Sequence, residues 1–237
     1  MSVIYFDIAT IPDFELGTRL YDLHDLSQED VSRVMVTKSR ENHSNPGVII
    51  GQHMLQIVAL SILVQDNKGI KCWSEGVPES TEANLLQTLQ ELIVGHQASI
   101  VTWNGNRSIF PILNYRYLSH GLHSADLVNH VDLATELSGT TGQNPLPLHD
   151  VAVLCGFPGN KAMSFDDVLD AYLEGNVELV RNGLELNIIN TWLLNKRWQL
   201  VSGNIDDSSL DLEYQQFKEA LMQQNKTHLT TFVESLN

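Results

Sequence analysis

Hydrophobic positions fall into short runs of two kinds along this chain. The first run, about residues 3 to 8, is nearly continuous, Val3-Ile4-Tyr5-Phe6-Asp7-Ile8, and predicts a buried β-strand. Strand side chains alternate with a period of two, so Asp7 and Ala9 share a face. From Pro12 to Pro46 the chain is polar, with some helical periodicity and no strand signal, which predicts a helix-containing insertion. Residues 56–64 are rich in β-branched side chains, Asn67-Lys68-Gly69 supplies turn chemistry, and residues 70–74 follow as the second arm of a β-hairpin. Leu85, Leu86, Leu89, Leu92 and Ile93 recur at helical spacing behind Ser80 or Thr81 as N-cap, with Gly95 closing the helix. A short strand over 99–103 exits sharply through Asn104-Gly105 into a helix over about 108–119, and Val131-Asp132-Leu133 gives a last strand. After a Gly/Pro/Thr-rich loop from Gly139 to Pro147, helices are expected over about 148–155, 164–172, 175–198 and 209–224. This order implies an α/β fold with a mixed central sheet flanked by helices and a helical C-terminal region.

The length of 237 residues with 43% hydrophobic content allows one domain, read as residues 1–200 with a helical extension over 201–237 packed on it. No apolar run reaches the roughly 18 to 20 residues of a membrane span, and the chain starts on a strand rather than a basic leader. A cytoplasmic, non-membrane protein is the expectation. Cys72 and Cys155 stand in unrelated contexts and are read as reduced, packed thiols. The formal net charge of -15, from 14 basic and 29 acidic residues, opposes non-specific attraction to a polyanion.

Three segments carry the chemistry. They are Phe-Asp-Ile-Ala-Thr-Ile-Pro-Asp at 6–13, Val-Thr-Trp-Asn-Gly at 101–105 continued by Pro111-Ile112-Leu113-Asn114-Tyr115-Arg116, and Asn190-Thr191-Trp192-Leu193-Leu194 preceded by Glu185. Leu154-Cys155-Gly156-Phe157-Pro158-Gly159 and Asp170-Ala171-Tyr172-Leu173 stand between them. Together these resemble the predicted 3'-5' exonucleases related to the proofreading domain of family B DNA polymerases, in the DEDD group with an RNase H-like fold. The resemblance spans Val3 to about Trp198. It implies two carboxylates from the first motif and one from each of the others, holding two magnesium or manganese ions, with a tyrosine near the last acid to place the attacking water. All four acids matter, because two divalent cations about 4 Å apart repel by roughly 17 kcal/mol at an effective dielectric of 20.

In this sequence the resemblance departs at those very positions. Asp7 is the retained acid, while Ala9, Ile109 and Asn187 stand where the other three acids are expected and Gly183 where the tyrosine is expected. No resident cofactor is expected, and any Mg2+ or Mn2+ contact would be a weak one through Asp7 alone. The sequence therefore reads as an exonuclease-like protein with a degenerate two-metal site, a non-catalytic nucleic-acid-binding or regulatory protein in replication or repair. An active exonuclease with relocated ligands and a protein-interaction scaffold are the competing readings. Single-stranded nucleic acid and a protein are the candidate partners, and Asn104, Gly105 and Arg107 are the candidate nucleic-acid contacts.

Other residues have plainer readings. Glu185 lies two positions before Asn187, and helix positions two apart face away from each other, so it is read as packed or solvated. His120, His123 and His130 with Asp132 lack the ligand spacing of zinc sites. Trp103, Tyr115 and Tyr117 have the chemistry to stack on bases, with Trp103 read as core.

Overall fold

The computed structural model describes residues 2–42, 50–96, 98–124, 129–139 and 146–236. Five strands, β1 (Val3–Pro12), β2 (Leu55–Asp66), β3 (Gly69–Gly76), β4 (Ser99–Thr102) and β5 (His130–Asp132), form one sheet in the order β3-β2-β1-β4-β5. β1, β2 and β3 are antiparallel in turn, whereas β4 lies parallel to β1 and β5 parallel to β4. The hairpin between β2 and β3 closes on Asn67-Lys68, with Asp66 paired to Gly69 at φ 122°, a backbone geometry that favours glycine.

Ten helices of the described residues cover the sheet. These are α1 (Phe14–Tyr21), α2 (Gln28–Asn42), α3 (Glu82–His96), α4 (Phe110–His120), α5 (Leu133–Ser138), α6 (Leu148–Leu154), α7 (Phe165–Leu173), α8 (Val177–Val201), α9 (Asp207–Met222) and α10 (Thr227–Glu234). Alternation along β1 sorts them onto two faces. Ile4 and Phe6 enter a core shared with Met35 of α2, Leu85 and Leu89 of α3 and Leu113 of α4. Tyr5 enters the other core with Ile189 and Trp192 of α8, Phe217 and Leu221 of α9 and Leu229 of α10. Trp192 stacks on Phe217 with centroids 4.0 Å apart, and its indole N–H donates to Gln65 Oε1 at 3.0 Å.

Several elements differ from the sequence expectation. β1 continues to Pro12 because β2 reaches down to Leu55 and pairs with it, after a register shift between Ala9 and Thr10. The exit from β4 is not directly an α-helix. Asn104 adopts the left-handed conformation at φ 58°, and residues Gly105–Ile109 form a π-helical turn before α4 starts at Phe110. β5 ends one residue earlier than expected because Asp132 caps α5, accepting from the Thr135 N–H. The expected insertion contains α1 and α2, with residues 43–49 outside the described residues, and the expected Gly139–Pro147 loop falls mostly outside them as well. The described helix limits of α8, Val177–Val201, exceed the expected span at its end. No helix of the described residues is long and apolar enough to cross a membrane.

A buried ion network ties the far end of β1 to the helices beyond it. Arg116 of α4 donates to Asp13 at 2.7 Å, and its Nε donates to Glu82 of α3 at 2.8 Å. The same glutamate accepts the Ile57 N–H, so this group of charges is satisfied on every side.

Candidate functional site

The site sits beside the middle of β1 and past the end of β4, where α8 crosses them. Asp7 is half-buried at the middle of β1, and its Oδ2 accepts the side-chain N–H of Asn187 at 2.9 Å while Oδ1 accepts the Ile8 N–H at 2.9 Å. Asn187 in turn accepts from Asn160 Nδ2 at 2.8 Å, and the same Asn160 amide donates to the Gly183 carbonyl at 3.0 Å. This network fixes which way the Asn187 amide points, since Asn160 supplies a donor on one side and Asp7 an acceptor on the other. Burial pushes the Asp7 carboxyl up from 3.8 to about 6, and the hydrogen bonds from Asn187 and Ile8 oppose it without cancelling it.

Two adjoining cavities open beside Asp7. The larger, of about 450 Å3, has Asp7, Trp103, Asn104, Ile109, Asn160 and Asn187 among its lining residues. The smaller, of about 250 Å3, is lined by Ala9, Gly183 and Met163, and shares Asp7, Asn160 and Asn187 with the first. The fold thus brings Asp7, Ala9, Ile109, Gly183 and Asn187 to one cleft, although they come from a strand, a π-helical turn and a long helix. Among the described residues, Asp7 is the only acid lining either cavity, and no lysine or arginine lines them.

The remaining candidates are dispersed. Asn104 lines the larger cavity and donates to Ser108 Oγ at 2.7 Å. Gly105 is buried, and a Cβ there would overlap the Thr102 hydroxyl, so close packing requires the glycine. Arg107 is exposed, and its carbonyl accepts from Gln52. Trp103, read as core, packs half-buried against the second core and also lines the larger cavity, because β4 ends just before it. Tyr117 is buried with its hydroxyl on the Leu86 carbonyl, and Tyr115 is exposed with its ring edge toward His53.

The histidines near Asp132 do not gather around a common point. His120 pairs with Glu82 at 2.9 Å, His130 packs against Phe110 at 4.4 Å between centroids, and Asp132 accepts the Asn104 and Asn106 N–H groups at 2.8 and 3.0 Å. Glu185 faces away from the cleft, fully buried, accepting from Ser74 at 2.6 Å, Lys226 at 2.6 Å and His228 at 2.8 Å. Among the described residues no group of three or more His, Cys, Asp or Glu is placed to hold a metal ion. The residues in the cleft do not fit two divalent cations. One carboxylate is present, and a neighbouring amide turns an N–H, not an oxygen, toward it.

Sequence reasoning missed Asn160 and His149, which also lines the larger cavity. Neither lies in a recognisable motif. Their only signal is position, on either side of the Gly156-to-Gly159 bend that faces α8.

The mixed sheet, its strand directions and its flanking helices define an α/β protein of the exonuclease-domain class, with the RNase H-like arrangement. The sequence matches the family described as "predicted 3'-5' exonuclease related to the exonuclease domain of PolB" over residues 49–130 and 124–236, and the chain belongs to that family. The first motif around Asp7 precedes the matched residues. A solved structure of similar fold is the family B DNA polymerase from the hyperthermophilic archaeon Pyrobaculum calidifontis, with a TM-score of 0.53 and 13% identity. That likeness covers 83% of this chain and 24% of the polymerase chain. No curated protein matches this sequence.

Proposed function

We propose that this protein is a catalytically degenerate member of its family, which uses the old exonuclease cleft to bind single-stranded nucleic acid in a replication or repair setting without cleaving it. The observation that carries the reading is that, among the described residues, Asp7 is the only carboxylate lining the two cavities, where a two-metal mechanism needs a cluster. Relocated ligands gain no support from the geometry. Asp132 is committed to backbone N–H groups and Glu185 to Ser74, Lys226 and His228, and neither lines the cleft. Residues 201–237 are proposed as an extension of the same domain, because Phe217, Leu221 and Leu229 are buried in the core that contains Tyr5.

Digestion of a 3'-labelled single strand in Mn2+ is the test, with gel mobility of the same strand in EDTA beside it. Retarded mobility without digestion above the Asp7→Ala background is expected. Robust manganese-dependent digestion that disappears in Asp7→Ala would overturn the reading. Unchanged mobility at low salt would instead favour a protein partner, which the net charge of -15 also suits.

A further inference from the structure

The cleft at Asp7 combines three properties that together restrict its ligand. Its walls are apolar and partly aromatic, with Ile8, Ile109, Ile112 and Leu148 around Trp103. Its floor is a hydrogen-bonded row, Asp7, Asn187 and Asn160, that leaves capacity unused. Asn187 donates one of its two amide hydrogens to Asp7, and Asn160 donates both of its own while no partner takes its oxygen among the described residues. Finally, among the described residues no lysine or arginine lines it, so no such cation offsets the Asp7 carboxylate for a phosphate brought beside it. A volume of about 450 Å3 lies within the range of roughly 300–1,000 Å3 usual for small-ligand sites.

We propose that this cleft takes an uncharged nucleoside unit, base and sugar, held without a metal ion by Trp103 and the Asp7-Asn187-Asn160 row, and that it disfavours a phosphate in the same place. The idea rests on the reading that the cleft no longer holds two cations. A carboxylate beside an amide N–H presents acceptor and donor side by side, the pattern by which asparagine reads a base edge. An apolar slot with an indole at its wall suits the faces of a planar base. On a single strand this places the terminal nucleoside inside and the phosphates outside. Binding of a strand then depends on salt more weakly than for a protein that grips several phosphates.

Titration of deoxynucleosides and of their 5'-monophosphates, followed by calorimetry and ligand-observed NMR in EDTA at pH 8, tests this. At least one nucleoside is expected to bind without metal, with its monophosphate about tenfold weaker. Asp7→Asn, which removes the charge facing the phosphate, should close that gap. A monophosphate that binds as tightly as its nucleoside at pH 8, or nucleoside binding only with Mg2+ or Mn2+, would overturn the proposal. Retarded single strands with no nucleoside bound at millimolar concentration would refute it alone and leave the proposed function standing. Nucleoside binding without strand binding would do the reverse.

Discussion

Helix α8 carries two polar clusters on opposite faces, and they solve the same problem of a carboxylate away from water in opposite ways. On one face Asp7 meets one side-chain amide and one backbone N–H, neutral donors that do not offset its burial, and its carboxyl rises to about 6. On the other face burial also pushes Glu185 up, but hydrogen bonds from His228, Lys226 and Ser74 and the charge of Lys226 outweigh it and hold the carboxyl below its ordinary range. Glu185 therefore stays ionised more firmly than Asp7. Burial raises both carboxyls, and partner charge decides which of them it leaves raised. Each cluster borders a cavity, of about 450 Å3 beside Asp7 and about 670 Å3 beside Ser74, Lys226 and His228, so what separates them is the charge of their donors.

The largest effect should come from breaking the cluster at Glu185. Glu185→Ala leaves Lys226 and His228 without their carboxylate and should cost about 3 kcal/mol of stability, the low end for a buried pair because Lys226 can turn to water. Urea denaturation at neutral pH measures it. Removing Asp7, the acid with only neutral donors, should act with the opposite sign. The folded-state carboxyl of Asp7 is raised above its ordinary 3.8, so its favourable contribution is complete below 3.8 and is lost as pH rises through about 6. Asp7→Asn should thus raise stability by about 2 kcal/mol at pH 8, with no gain at pH 4. A flat difference between the two proteins across that range would sink the argument. Glu185, held below its ordinary 4.5, has the reverse slope, and its contribution is lost only as pH falls below that value.

Asn187→Asp should then sharpen the contrast by placing a second acid beside Asp7. Like charges in one half-buried place should cost about 1–2 kcal/mol at pH 8, a loss recovered on acidification or on adding Mn2+. Thermal melts with and without the metal would show whether a single restored acid begins to rebuild a cation site. The smallest expected effect is Asn160→Ala, which removes the brace on the Asn187 amide and should cost about 1 kcal/mol. Its more telling readout is the pH at which Asp7 titrates, which should move if Asn160 positions Asn187.

Much of this arrangement could be read from residues alone. The apolar run at Val3 to Phe6, the Asn67-Lys68-Gly69 turn and the leucine spacing before Gly95 gave β1, the hairpin and α3, because each is a local signal that tertiary contacts reinforce. The positions Asp7, Ala9, Ile109, Gly183 and Asn187 line two adjoining cavities, although they lie far apart along the chain. What escaped was set by distant partners. The strand signal stops before Thr10, and only pairing to Leu55 through Ile57 extends β1 to Pro12. The π-helical turn at Gly105 depends on the Asp132 carboxylate gripping Asn104 and Asn106 from another strand, which no local pattern announces. Asn160 looks like any loop asparagine until α8 is laid across it.

The three partners of Glu185 also bear on the order in which the chain assembles. Ser74 precedes it by 111 residues, while Lys226 and His228 follow it by 41 and 43. A growing chain that has emerged only through α8 can pair the sheet and seal the core around Phe6, but it holds Glu185 with neither Lys226 nor His228. Docking of α8 onto β3 is then energetically incomplete during synthesis, and the second core closes late, over the longest loops in the molecule. The half-made protein is expected to expose Trp192 and Ile189 until α9 and α10 arrive, which makes that interval the point of greatest vulnerability to misassociation.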